Sequence, residues 1–91
     1  MSGKVISMGE FHPHAVYDPE ADAIYVILTD EKVAKSVQLD DFRVIDYSGD
    51  GGLVGVELLG VGGGVELEDV PKRQTVEKLI GELGLGIKIF A

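Results

Sequence analysis

Between residues 15 and 60 the chain alternates apolar and polar positions with the period of two that extended backbone imposes, and turn signals cut the alternation into short segments. In residues 23–29 one face carries Ile24, Val26 and Leu28 and the other Tyr25 and Ile27, the β-branched and aromatic types that strands favour. A strand apolar on both sides belongs inside a sheet or under a covering layer. It follows residues 15–17 and the turn Asp18-Pro19-Glu20, in which the proline holds Asp18 extended and its carboxylate accepts bonds from N–H groups just ahead. Asp18, Glu20 and Asp22 are therefore read as turn chemistry rather than as a ligand set.

Asp30-Glu31 predicts a two-residue turn into residues 32–39, which would set Leu28 opposite Val33 and Ile24 opposite Val37 and leave Lys35 at an edge. Asp40-Asp41 marks the next turn and residues 42–47 the next strand. Asp50-Gly51 then predicts a type I′ hairpin, whose two central residues both need positive φ. That centring pairs Tyr47 with Val54, Ile45 with Val56 and Arg43 with Leu58. One face would carry Ile45, Tyr47, Val54, Val56 and Leu58, and the other Asp46, Gly55 and Glu57.

Past residue 60 the period changes. Residues 60–64 hold four glycines and read as a flexible loop or a bulged strand end, and residues 65–70 as a short strand or a connector. Pro71 can open a helix, Val76, Leu79, Ile80 and Leu83 fall on one helical stripe, and Gly84 supplies a stop, so a helix is predicted over about 71–83. Residues 87–90 alternate again and suit a final strand or a dimer contact. The fold class is thus α+β: an antiparallel β-meander of about five strands with one C-terminal amphipathic helix packed on it, in a single domain over residues 1–91.

Size and charge narrow the function. A chain of 91 residues builds only a modest core, which a homodimer would supplement. No apolar run approaches the roughly 20 residues that span a bilayer, and the first residues lack the pattern of a secretory leader, so the expected compartment is the cytoplasm, with no membrane association. With no cysteine, disulfides and thiolate chemistry are excluded. The net charge of −8 is concentrated between Asp18 and Asp69, where 13 carboxylates face only Lys32, Lys35 and Arg43. Such a body repels phosphate backbones, which argues against nucleic acid, and is drawn towards a basic protein partner.

The stretches YDPEADAIYVIL, KVAKSVQLDD and VIDYSGDGGLVGVELL together resemble the small prokaryotic domains of the domain-of-unknown-function family 2283, over about residues 15–60. The resemblance implies a compact β-meander without agreed catalytic residues. Members of that family resemble frequent neighbours of toxin-like proteins, which implies an antitoxin-like role. The glycine-rich segment and the helix lie outside the shared motif.

Two constellations offer metal chemistry. Residues 46–57, DYSGDGGLVGVE, fit the calcium-loop template through Asp46, Ser48, Asp50, Gly51 and Glu57, although both flanks are strand-like where such loops lie between helices. His12 and His14 could place two imidazoles on one side of an extended segment, two ligands short of a usual site. The hairpin turn and a solvated lead-in to the first strand explain the same residues. No phosphate loop, nucleophile elbow or paired acid and base is present, and no catalytic residue or cofactor is assigned. The reading is a non-catalytic protein-interaction module, with a small metal-binding protein or metal-assisted enzyme as its alternative.

Overall fold

The structure, a computed structural model, describes residues 10–90. Five segments of β-branched and aromatic residues pair as β1 (His14–Asp18), β2 (Ala23–Ile27), β3 (Lys35–Asp40), β4 (Arg43–Tyr47) and β5 (Leu53–Leu59). They form one antiparallel sheet in the order β1-β2-β5-β4-β3. A 3₁₀ turn over Val61–Gly63 leads to β6 (Val65–Glu66), helix α1 (Arg73–Gly81) and β7 (Ile89–Phe90), and β6 pairs with β7 in parallel. The α+β class, the five-stranded antiparallel sheet and the single amphipathic helix are as the alternation predicts.

α1 lies over β1 and β2 and buries Val76, Leu79 and Ile80. These join Ile24, Val26, Ile45, Val56 and Leu58 of the sheet, with Val61, Val65, Leu67 and Val70 of the connecting segment, in one cluster. The sheet is thus covered on one face. Burying that many aliphatic side chains, each contributing roughly 1.5–3 kcal/mol, is what holds so short a chain together.

The neighbour of β2 differs from the expected one. The Asp30-Glu31 hairpin does not form: residues 28–34 connect β2 to the far edge, and β5 takes the place beside β2, with Ile24 opposite Leu58 and Val26 opposite Val56. The chemistry of the two candidate partners explains the exchange. β5 offers Val56 and Leu58 to the apolar face of β2, whereas β3 offers Val37 beside the charge of Lys35. β3 becomes an edge strand with Lys35 exposed, as the charge requires.

The β4–β5 turn is also of another type. Gly51 N–H bonds the Ser48 carbonyl at 2.9 Å, so Gly49 and Asp50 are the central residues, and only Gly51 (φ 88°) is left-handed. The Asp50 carboxylate accepts the Gly52 N–H and the Ser48 hydroxyl, which holds Asp50 in an ordinary turn conformation. Ile45 still faces Val56 and Arg43 faces Leu58, but a bulge sets Tyr47 opposite Leu53 instead of Val54. At the helix, Pro71 lies outside the first turn, because left-handed Asp69 and Lys72 turn the chain first, and α1 is shorter than predicted at both ends. Gly84, at φ 68°, closes its C-terminus as expected. Among the described residues no helix is long and apolar enough to cross a membrane.

Candidate interaction face

The strand registers fix which side chains share the face that α1 leaves uncovered. One row across the sheet reads His14, Ile27, Gly55, Asp46, Ser36; the next reads Val16, Tyr25, Glu57, Val44, Gln38. Apolar Val16, Ile27, Val44 and the Tyr25 ring are interleaved there with the carboxylates of Asp46 and Glu57. No lysine or arginine occupies either row. Among the described residues the one ion pair, Arg43 with Asp40, lies elsewhere.

Asp46 is only 9% exposed, a burial that a bare carboxylate would not tolerate. It is satisfied by two hydroxyls: Tyr25 donates to Oδ2 at 2.7 Å and Ser36 to Oδ1 at 2.5 Å. Tyr25 reaches Asp46 across β5, and Gly55 is what lets it pass. A Cβ at Gly55 would lie 2.9 Å from the Tyr25 hydroxyl and 2.7 Å from the Val26 carbonyl oxygen. Burial first, then the hydrogen bond and charge of Asp46, then the charge of Glu57 hold the Tyr25 phenol far above its ordinary pKa. The phenol is therefore a donor at any physiological pH.

A second polar cluster ties the end of the sheet to the following segment. The Arg43 guanidinium bonds Asp40 through Nε at 3.0 Å and Nη2 at 2.8 Å, and its Nη1 bonds the carbonyls of Glu66 and Glu68. Arg43, followed by the Phe42 N–H, holds the Asp40 carboxyl below the usual carboxylate range. Beside it lies an open pocket of about 280 Å³ whose lining includes Phe42, Phe90, Gly60 and Gly64. With its guanidinium already bound on three sides, Arg43 acts there as a structural clamp.

The residues with metal-ligating potential are dispersed. Asp46 is engaged by Tyr25 and Ser36, Ser48 and Asp50 bond each other within the turn, and Glu57 stands on the uncovered face. The Ser48 hydroxyl, then the Gly52 N–H, hold the Asp50 carboxyl below its ordinary value. His14 Nδ1–H donates to the His12 carbonyl oxygen at 2.8 Å, and both histidines are exposed. Among the described residues no three His, Asp or Glu side chains come together as a metal-binding group. The opening acids do behave as turn chemistry: Asp18 accepts the Glu20 and Ala21 N–H groups. Asp22, left-handed at φ 53°, also accepts the Gly62 N–H and pins the glycine-rich segment to the sheet.

Sequence reasoning placed Asp46, Gly55 and Glu57 together and Tyr25 with Ile27, but not the two sets on adjoining strands. Ser36 carried no signal of its own. The profile of a protein family described as "Protein of unknown function (DUF2283)" matches residues 15–61, which takes in all five strands of the sheet except His14 at the start of β1 and ends at Val61, before the helix. No curated protein and no solved structure matches the chain at a significant level.

Proposed function

We propose that this chain, which belongs to the family of proteins of unknown function DUF2283, is a non-catalytic protein-interaction module that docks a basic protein on the uncovered face of its sheet. The observation that carries the reading is the composition of that face: Val16, Tyr25, Ile27 and Val44 share it with Glu57 and Asp46, and no lysine or arginine occupies either row. An apolar surface centred on a carboxylate suits a partner that brings aliphatic side chains together with a lysine or arginine. The long-range field of a chain with net charge −8 steers such a partner inward. An antitoxin-like pairing with a small basic protein is the specific form this reading takes, supported by that charge and by the family resemblance.

The test is capture from the native host's lysate at low and high salt, with wild type and Glu57→Lys compared side by side. The expected result is a basic protein held by wild type, released by high salt, and lost with E57K while its circular dichroism is unchanged. Capture of nothing, or of the same proteins by both chains, overturns the reading.

A further inference from the structure

The two edges of the sheet are built differently. The β3 edge is interrupted by a register shift between Gln38 and Asp40 and carries Lys35, both devices that discourage a further strand from pairing. β1 has neither. All five of its residues pair with β2 in unbroken register, and Val16 at its centre is 48% exposed. A regular edge of this kind presents a row of backbone donors and acceptors for another strand.

We propose that the β1 edge binds the β1 edge of a second copy of this chain, antiparallel and centred on Val16, joining two sheets into one continuous sheet. The strand is complementary to itself in that register. Val16 meets its own counterpart, Ala15 meets Tyr17, and His14 meets Asp18 twice, once on each side of the two-fold axis. The polar atoms are available for it. His14 commits Nδ1 to the His12 carbonyl and has no hydrogen bond on Nε2 among the described residues, while Asp18 accepts the Glu20 and Ala21 N–H groups on Oδ1 and has no partner on Oδ2 among the described residues. Directly opposed residues of an antiparallel pair have Cβ atoms about 5 Å apart, within reach of an imidazole and a carboxylate.

The same register explains where the pairing stops. One residue beyond His14 is Pro13, and one beyond Asp18 is Pro19. In the two-fold pair these prolines face each other, and lacking an N–H neither can extend the ladder. The pairing is confined to the five residues of β1, and the shared face carries two copies of the Glu57 surface side by side. The inference concerns another surface than the docking reading and does not depend on it.

Sedimentation velocity on the purified full chain, up to about 100 µM because so short an interface is weak, tests the assembly. Wild type should dimerise. Val16→Lys, which opposes two like charges on the axis, should raise the dissociation constant about tenfold or more. His14→Asp should weaken the dimer and His14→Lys preserve it, a contrast that reports the His14–Asp18 register directly. The chain has no cysteine, so Val16→Cys should form a covalent dimer on mild oxidation while Gln38→Cys on the β3 edge should not. A chain that stays monomeric throughout overturns the proposal. So does a dimer that V16K leaves intact, or one cross-linked through residue 38 and not residue 16.

Discussion

The two faces of the five-stranded sheet are made of the same strands and do opposite things. On the covered face Ile24, Val26 and Val56 are wholly removed from water, with Ile45 and Leu58 almost so, and every side chain in the cluster is aliphatic. On the other face the interior position of the same strands holds an acid bonded by two hydroxyls, with a second acid and exposed valine nearby. One residue of shift along a strand moves a side chain from one regime to the other. Stability is concentrated on one alternation of each strand, which leaves the other free of that packing constraint.

The sharpest way to break that contrast is to truncate one aliphatic residue on each face. Ile24→Ala should cost about 2–5 kcal/mol, as deletions in packed cores do. Val16→Ala, two strands' width from the centre and half exposed, should cost no more than about 0.5 kcal/mol. Urea denaturation midpoints on the two variants decide it, and similar losses would mean that the outer face is a second core awaiting cover.

Asp46 comes next in size. Its replacement by alanine leaves the Tyr25 and Ser36 hydroxyls without their acceptor and should cost about 1–3 kcal/mol in the same assay. It also changes a titration. The folded chain holds the Tyr25 proton more tightly than the unfolded chain, so this contribution to stability is complete below the ordinary tyrosine value of about 10 and is lost as pH rises above it. Absorbance titration of phenolate should show one tyrosine ionising well after the ordinary value in wild type. In Asp46→Ala that tyrosine should move towards the ordinary value without reaching it, since burial, the largest cause, remains. An unmoved titration would show that the hydroxyl pair is not what Asp46 is buried for.

How much of this was legible in the chain depends on how local the determining contact is. The parity of β4 and β5, with Ile45, Val56 and Leu58 apart from Asp46, Gly55 and Glu57, follows from two adjacent segments and a turn. So do the helix stripe and its glycine stop. The partner of β2 is decided elsewhere: a competition between β3 and β5 for one apolar edge is not written in any short window, and local turn chemistry at Asp30-Glu31 pointed to the wrong one. The Tyr25–Asp46 bond, spanning 21 residues, inherits that non-locality. The left-handed turn at Lys72 was hidden for another reason, since lysine is not a residue that such a conformation ordinarily selects.

Glu57 gives the smallest effect on stability and the finest discrimination between the faces. It sits on the central strand with Tyr25 on one side and Val44 on the other, a place where a charge gains nothing from packing. Glu57→Gln keeps its shape and removes the charge. If the face is kept for recognition, the substitution should leave stability within about 0.5 kcal/mol of wild type. Its effect on the Tyr25 titration should be a downward shift smaller than that of Asp46→Ala, because Glu57 is the least of the causes that raise the phenol. A loss above about 2 kcal/mol would instead make Glu57 a structural member of the same network as Asp46. The carboxylate would then be held in place by the fold, and the acidity at the centre of the face would be a consequence of architecture before it is an invitation to a partner.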